Sequence, residues 1–312
     1  MDRFEAIRTL VAAIDGGSLS AAARTLNVPL PTVSRRVSDL EAALGSQLVV
    51  RTSRKLHLTE AGSLYVASAR RVLEELAEAE RAASGEYRAP RGDVLVTAPI
   101  LFGTLNVAPI IHDFLGIYPE VNVRLVLSDQ IIDLVEAHVD VAVRIGFLPD
   151  SALLARRAGE ISWVVCASPD YLRRHGVPAT PAALGAHDCI AFEGLQRRRE
   201  WAFVGPDGRG QSVTISPRFS VNTASAVTQG AVAGLGIARL LSYQAAACVG
   251  QGDLVPILSG FTPPAIPVHL VISAQQYQPL KIRAFLDFVL PRLQKRLKDI
   301  KYVYDGIEDF RG

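Results

Sequence analysis

Residues 18–62 read SLSAAARTLNVPLPTVSRRVSDLEAALGSQLVVRTSRKLHLTEAG. Ser18 is a favoured N-cap for a first helix, and the Asn-Val-Pro-Leu stretch at 27–30 ends that helix. Gly45 can end a second helix, which begins after this stretch. Pro31 suits the first turn of that second helix, because its missing N–H would be unpaired there. The pattern predicts, in chain order, helices over 2–15, 19–26 and 31–44 and short strands over 47–50 and 55–58. This order predicts a winged helix-turn-helix, which presents one helix to the DNA major groove.

The helix predicted over 31–44 has an apolar face and a polar face. Its apolar residues recur at helical spacing and are expected in the core: Val33, Val37, Leu40 and Leu44. Candidate DNA contacts lie outside that face and on the basic hairpin: Thr32, Ser34, Arg35, Arg36, Arg51, Arg54 and Lys55. Residues 24–58 hold six Lys or Arg against two acids, and such local charge neutralises phosphates. The alternative is a solvated face without function.

A long helix is predicted to begin after Thr59, a favoured N-cap. Small and apolar residues follow at alternating three- and four-residue spacing: Gly62, Tyr65, Ala69, Val72, Leu76, Ala79 and Ala83. Such a seam packs against a partner helix. We expect dimerisation through the six residues from Tyr65 onward, although packing within one chain would also give a stripe. Residues 85–92 are predicted to form a hinge.

Strand and helix patterns alternate beyond Gly92, which predicts an α/β unit with mostly parallel sheets and right-handed crossovers. A first set of predicted strands covers 93–97, 121–128 and 140–144, with helices over 102–118 and 131–138. A second set covers strands 163–167, 189–193, 213–221 and 237–240 and helices 169–175 and 224–233. Strand 267–273 and helix 280–297 close the unit. Residues 298–312 are polar and predicted to be a loosely held tail.

The composition is that of a globular protein: 312 residues, 49% apolar, 21% charged and a net charge of +2. The length allows two or three domains. No secretory leader and no run of about 18 apolar residues stands out, so we expect a cytoplasmic protein without a membrane partner. Cys166, Cys189 and Cys248 are few and far apart, which favours reduced thiols over disulfides.

Enzyme motifs are absent from the sequence. It contains neither a Gly-x-x-x-x-Gly-Lys-Ser/Thr loop nor a Gly-x-Ser-x-Gly elbow, and its six histidines lack metal-ligand spacing. His187 and Cys189 stand near each other, but neighbouring residues of an extended chain point to opposite faces. We therefore expect no enzyme, no cofactor and no metal. A solute-binding protein or an enzyme of the transport-receptor type, dimerised by its N-terminal region, stays open as the alternative.

The chain resembles the LysR-type family of bacterial transcriptional regulators over nearly its whole length. Residues 21–62 carry the most specific part, and three later stretches add to it: RIGFLPDS (144–151), ASPDYLRRHGVP (167–178) and VAGLGIARL (232–240). The Arg-Ile-Gly at 144–146 resembles a large subgroup of that family. Leu30 departs from the family pattern, which often has Gln or Ser there, so base contacts carry over better to Pro31 and its polar neighbours Thr32, Ser34 and Arg35.

The resemblance implies a winged helix-turn-helix, a dimerising linker helix and a two-subdomain effector-binding unit like periplasmic binding proteins. It implies a homotetramer, built as a dimer of dimers, on double-stranded DNA at a pseudo-palindromic promoter site. A small-molecule effector would change how the protein binds or bends the promoter DNA. The domain division expected is 1–58 for DNA binding, 59–91 for the linker, 92–297 for the effector-binding domain and 298–312 for the tail. Subdomain I would span about 92–162 and 267–297, and subdomain II about 163–266.

Effector candidates follow from the rule that ligands bind beside the carboxyl ends of strands and helix N-termini. The residues at such positions are Thr97, Ala98, Phe102, Gly103, Ser128, Arg144, Gly146, Asn222 and Thr223. Their hydroxyls, N–H groups and one cation suit a small anion such as a carboxylate, with Phe102 and Phe147 or Trp201 on the walls. The alternatives are local backbone bonds for Thr97 and Ser128, an ion pair of Arg144 with Asp140, Asp150 or Glu160, and a core position for Trp201.

Overall fold

The structure is a computed structural model that describes residues 2–51, 56–83, 89–130, 134, 137, 139–148, 153–193, 199–273 and 279–306. The chain forms two compact units, Met1–Ala89 and Pro90–Gly312. Each unit buries its own apolar residues, the first around Leu10 and Leu40 and the second in several clusters. Each therefore has a core of its own.

The N-terminal unit is the predicted winged helix-turn-helix followed by a long helix. Its elements are α1 (Arg3–Asp15), α2 (Leu19–Thr25), α3 (Leu30–Leu44), β1 (Val49–Arg51), β2 (Leu56–Leu58) and α4 (Glu60–Ala83). Ser18 caps α2 by accepting the Ala21 N–H at 3.1 Å, and Gly45 ends α3 at a φ of 63°. Helix α3 begins one residue earlier than predicted, because Pro29 takes the extended N-cap conformation and Leu30 is already helical.

The C-terminal unit contains the remaining elements. In chain order they are β3 (Gly92–Ala98), α5 (Ile100–Phe102), α6 (Ala108–Ile117), β4 (Val121–Leu127), β5 (Val141–Ile145), β6 (Leu153–Ile161), β7 (Trp163–Ala167), α7 (Pro169–His175), β8 (Cys189–Phe192), β9 (Glu200–Val204), β10 (Gly210–Thr214), β11 (Pro217–Val221), α8 (Ala224–Val232), β12 (Ile237–Leu241), α9 (Ser242–Gln251), β13 (Val255–Ile257), β14 (Ile266–Ser273) and α10 (Leu280–Tyr304). A π-helical turn, Gly103–Val107, joins α5 to α6.

Two five-stranded sheets define two lobes. The first lobe has the strand order β4-β3-β5-β14-β6, and the second has β11-β8-β12-β7-β13. A separate hairpin of β9 and β10 contributes to the core of the second lobe through Trp201 and Phe203. The chain crosses from the first lobe to the second at Ser162 and returns between β13 and β14.

Both sheets are mixed, so the prediction of mostly parallel sheets is wrong in part. Strands β4, β3 and β5 are parallel in one sheet, and β11, β8 and β12 are parallel in the other. The antiparallel strands β6, β7, β13 and β14 are the ones that lead the chain between the lobes. They follow each other directly or through a loop, without the crossover helix that parallel pairing requires.

Several elements differ from the predictions. Strand β6 and helix α9 were not predicted, and the strand expected over 213–221 breaks at 215–216 into β10 and β11. The helix expected over 131–138 lies largely outside the described residues. Helix α10 continues to Tyr304, whose hydroxyl donates to the Ser242 carbonyl at 2.6 Å. The prediction of a loose tail is therefore wrong for 298–304, because Tyr304 packs in the second lobe.

One helical stretch, Ile100–Ile117, is long and apolar enough by composition to cross a membrane, with a mean hydropathy of 1.5. Some of its apolar side chains lie in the core of the first lobe, where Phe102, Val107, Ile110 and Phe114 are buried, while Ile100, Leu105 and Ile117 are exposed. Packing on the sheet and on Phe285 of α10 explains this apolar character.

Candidate functional site

The first candidate site is the outer side of α3. Val33, Val37 and Leu40 are fully buried and fix the orientation of the helix. On the other side Pro31 and Arg35 are exposed. Thr32 and Ser34 are half-buried between the two faces, and Leu30 is 44% exposed at the helix start. The first turns of α3 therefore present a cation and a polar flank to solvent, together with one apolar residue that can only make apolar contacts.

Arg36, also predicted as a DNA contact, is half-buried and bonds within its own unit. Its Nη1 lies 3.1 Å from Glu5 Oε2 and donates to Thr9 Oγ1 at 3.3 Å. Both partners lie on α1, so the guanidinium ties α3 to α1. Successive residues of an α-helix are rotated by about 100° around its axis, so the side chain that follows the exposed Arg35 is directed toward α1.

The wing is anchored by Glu41, which sequence reasoning counted only as a negative charge. Glu41 Oε1 accepts the N–H of Leu48 at 2.8 Å and that of Val49 at 3.0 Å. Strands β1 and β2 then pair from Val49 opposite Leu58. Of the predicted wing contacts, Arg54 and Lys55 lie outside the described residues, and so does the side chain of Arg51.

Helix α4 uses the first part of its predicted seam within its own unit. Gly62 and Ala69 are buried, Tyr65 packs against the same core, and Arg70 pairs with Asp15 of α1. A Cβ on Gly62 would lie 2.0 Å from the Leu48 carbonyl oxygen, so glycine is required for this close approach. Tyr65 and Ala69 therefore pack within the chain, which is the alternative that the seam left open.

The second part of the seam faces solvent. Val72 is 46% exposed and Leu76 40%, and Leu64 is 69% exposed nearby on the same helix. The side chains of Ala79 and Ala83 lie outside the described residues. An apolar surface thus continues along α4 beyond the point where the helix leaves its own core.

The second candidate site is the edge of the first sheet where the parallel strands β3, β4 and β5 end. Thr97 is fully buried there, and its Oγ1 has no hydrogen-bond partner. The Ser128 N–H donates to the Ala98 carbonyl at 3.0 Å, which joins the ends of β3 and β4. Ser128 Oγ accepts the Gln130 N–H at 3.1 Å, so this hydroxyl has the local backbone bond that the alternative interpretation expects.

An acid occupies the helix start at this edge, which sequence reasoning missed. Asp129 Oδ1 accepts the Ile100 N–H at 3.0 Å, at the beginning of α5. The N–H group expected to receive an anion is thus already bonded to a carboxylate. Asp is a preferred partner of helix N-termini, so the residue type was a signal in the sequence. Because Asp129 and Ile100 are 29 residues apart, the sequence does not show that they meet.

Phe102 and Gly103 are closely packed at this edge of the sheet. Phe102 is fully buried and meets the Tyr243 ring edge-on at 5.0 Å, so its predicted place on an open cleft wall is wrong. The contact joins the first lobe to α9. Burial raises the pKa of Tyr243 to about 12, so this hydroxyl stays protonated at neutral pH. A Cβ on Gly103 would lie 2.2 Å from Leu127 Cδ2, which explains glycine by close packing.

Arg144 and Gly146 end the third parallel strand. Arg144 is half-buried opposite His269 of β14, and burial lowers the pKa of both side chains. Gly146 has a φ of 129°, where a side chain would be strained, and its N–H donates to the Pro267 carbonyl at 2.9 Å. The structure therefore gives Gly146 a backbone role.

The second lobe contributes Asn222 and Thr223 at the end of β11, and both are exposed. Thr223 holds the N-cap position of α8 without a side-chain bond to the helix. Trp201 is 6% exposed and belongs to the core under the hairpin, and Phe147 is 82% exposed. Cys166 and Cys189 are buried, and burial raises the pKa of each thiol to about 12.

Comparison with known proteins gives matches over both units. The profile of the bacterial regulatory helix-turn-helix proteins of the lysR family matches residues 4–63, and that of the LysR substrate binding domain matches residues 88–294. An HTH-type transcriptional regulator of Xanthomonas campestris pv. campestris is 34% identical over 286 residues, covering 91% of this chain and 83% of that protein.

CrgA of Neisseria meningitidis serogroup C, also an HTH-type transcriptional regulator, is 34% identical over 294 residues, which cover 94% of this chain and 98% of CrgA. The solved structure of CrgA, a LysR-type regulator from Neisseria meningitidis, matches with a TM-score of 0.60 at 33% identity, covering 93% of this chain and 98% of that chain.

An N-terminal helix-turn-helix and a C-terminal substrate-binding fold define a DNA-binding transcriptional regulator that has an effector-binding domain. The chain belongs to the LysR family of bacterial transcriptional regulators. Its relatives are regulators of transcription and not enzymes. The alternative of a transport-receptor-type binding protein or enzyme is therefore wrong.

Glu41→Ala should destabilise the N-terminal unit. The two amides it bonds belong to residues that are 2% exposed, and each buried donor left without a partner costs about 1–3 kcal/mol. Urea denaturation followed by circular dichroism measures the loss, and Glu41→Gln should recover part of it by keeping an acceptor. Asp39→Ala, an exposed position on the same helix, is the control and should change stability by less than about 0.5 kcal/mol. Equal effects of the two alanine variants would contradict the anchor.

Proposed function

We propose that this regulator binds a pseudo-palindromic promoter site as a homotetramer, a dimer of dimers, in the bacterial cytoplasm. A small organic anion in the C-terminal unit changes promoter binding or bending. The observation that carries the DNA-binding part is the exposed Arg35 opposite the fully buried Val33 and Val37 on α3. The helix can enter a major groove without unpacking its own core.

We also propose the functional division 1–58, 59–91 and 92–297, with subdomains at about 92–162 plus 267–297 and about 163–266. The family matches at 4–63 and 88–294 support it, as does the separation of compact units after Ala89. The Arg-Ile-Gly at 144–146 supports membership in the subgroup that carries this motif.

The residues of α3 take different roles in the proposed complex. Arg35 is the candidate for guanine, since a guanidinium can donate twice to its O6 and N7 atoms. Pro31 flanks it as a candidate base contact, and Thr32 and Ser34 divide between base and phosphate contacts. Arg51, Arg54 and Lys55 on the wing bind the phosphate backbone, which positions the protein without reading sequence. Arg36 supports α3 through Glu5.

Arg35→Ala should remove discrimination among operator sequences, with a loss of about 1–3 kcal/mol at the guanine it contacts. A gel shift with the DNA upstream of the protein's own gene and with point-substituted operators measures the change. Arg24→Ala, at an exposed arginine on α2, is the matched control. It should weaken binding to all operator sequences alike or leave binding unchanged. Unchanged discrimination by the Arg35 variant would contradict the assignment, as would wild-type binding that ignores sequence and salt.

Dimerisation is proposed through the exposed part of α4. Val72 and Leu76 are one helical turn apart and each is 40% or more exposed. Large apolar residues at this spacing form a stripe, and pairing two such stripes removes both from water. The predicted contacts Ala79 and Ala83 continue the seam in sequence. Tyr65 and Ala69 contribute by fixing α4 on its own core.

Leu76→Glu should weaken self-association at least ~100-fold, because a two-fold seam loses two buried leucines and gains two buried charges. Sedimentation equilibrium measures the mass of the species. Ala67→Glu adds the same charge at an exposed position on the opposite side of α4 and should leave the mass unchanged. A Leu76 variant with the wild-type mass would rule out this seam.

The effector is proposed to bind at the carboxyl edge of β3, β4 and β5. The unpartnered Thr97 hydroxyl marks this edge as incomplete, and Arg144 brings a cation. In this proposal Ala98, Ser128 and Gly146 contribute the backbone rim, and Asn222 and Thr223 complete the site from the second lobe. Asp129 repels an anion from the start of α5. Such a ligand changes DNA binding only if it favours one arrangement of the lobes.

Thr97→Val should keep or raise the stability of the ligand-free protein, because it removes a buried hydroxyl that lacks a partner. The same change should reduce the thermal shift that a panel of small carboxylates and aromatic compounds gives with the wild type. Thr228→Val is the control, since that buried hydroxyl already donates to the Ala224 carbonyl at 3.0 Å. Equal shifts for wild type and Thr97→Val, or none for the wild type, would contradict the proposed site.

A further inference from the structure

Arg239 is a partly buried cation whose surroundings differ from those of comparable arginines. Its guanidinium carbon lies 4.2 Å from the centre of the Trp163 ring and 5.8 Å from that of Phe203. Its Nε is buried and has no hydrogen-bond partner. Arg36 and Arg296 are also half-buried, and they bond to Glu5 and to the Leu105 carbonyl respectively.

The position of Arg239 follows from its strand. On β12 it stands between Ala238 and Leu240, which pack on the α8 and α9 side, so its side chain lies on the opposite face with Ile237. That face is covered by the hairpin of β9 and β10. Arg239 is two residues before the carboxyl end of β12, the strand end that leads directly into α9.

This end of β12 adjoins the first lobe. In the antiparallel register Leu241 lies opposite Trp163, which follows the crossing residue Ser162. The Ser242 N–H donates to the Ser162 carbonyl at 2.8 Å, and Tyr243 meets Phe102 of the first lobe. The carboxyl end of β12, and Arg239 with it, therefore lies near the boundary between the lobes.

The electrostatics of this position are unfavourable without a ligand. Burial lowers the pKa of Arg239 to about 10, so it remains charged at neutral pH. Two aromatic faces attract the cation, but they accept no hydrogen bond along the guanidinium edge. A buried cation is normally paired, and an anion in the plane of the guanidinium would supply the missing acceptor.

We propose that Arg239, held between Trp163 and Phe203, is the carboxylate-binding residue of the second lobe and selects anionic over neutral ligands. The guanidinium edge binds the carboxylate, and the two rings hold the guanidinium in place. That this carboxylate belongs to the effector rests on the proposed function; the anion site itself does not.

Tryptophan fluorescence tests the site, because the chain has two tryptophans, Trp163 and Trp201. In a Trp201→Phe variant Trp163 is the only emitter. Sodium benzoate, phenylacetate and acetate should change its emission with saturation, and benzamide, a neutral isostere of benzoate, should not. Arg239→Gln in this background should bind the effective carboxylate at least about tenfold more weakly, and Arg239→Lys should retain part of the affinity.

Three results would each overturn the proposal: an equal response in Arg239→Gln, an equal response to benzamide, or no response to any of the three carboxylates. If Trp201→Phe does not fold, thermal shifts replace fluorescence. Benzoate should then shift the melting temperature of the wild-type chain more than benzamide does, and more than it shifts that of Arg239→Gln; equal shifts would overturn the proposal. A promoter gel shift separates the two claims. Carboxylate binding that leaves DNA binding unchanged would keep the anion site and refute only its role as effector site.

Discussion

The burial of one face of α3 against α1 is the constraint on which the DNA-binding unit depends. Val33, Val37 and Leu40 are fully buried, and each such side chain contributes about 1.5–3 kcal/mol relative to exposure. Their sum is comparable to the whole stability of a domain, so α3 cannot rotate about its axis. The direction of Arg35 into solvent is a consequence of this packing.

Polar side chains then complete what the apolar core leaves open. Glu41 bonds the amides at the start of the wing, and Arg36 joins α3 to α1 through Glu5. Both residues lie in the basic segment 24–58, and the charge count assigns Arg36 to the DNA-facing surface. Counting charge along the chain thus overstates the surface available to phosphates, because some charges are used for tertiary contacts.

In the C-terminal unit, the antiparallel strands connect the lobes and the parallel strands end at the candidate ligand sites. Thr97 in the first lobe and Arg239 in the second each carry a buried polar atom without a partner. Native proteins pair nearly all such atoms, and those left unpaired call for an explanation. Asn106 and His269 carry the other two such atoms among the described residues, whereas Thr97 and Arg239 each lie near the carboxyl end of a parallel strand, where the proposed ligand sites are.

The sequence by itself determined the order of the N-terminal elements, the α/β character of the second unit and most strand positions, because caps, breakers and apolar periods are local signals. It did not determine that Phe102 lies in the core, that Asp129 bonds the start of α5 or that the first part of the α4 seam packs on α1. Each of these contacts joins residues far apart in the chain. Only the tertiary structure decided them, since which groups meet across such distances depends on how the elements pack.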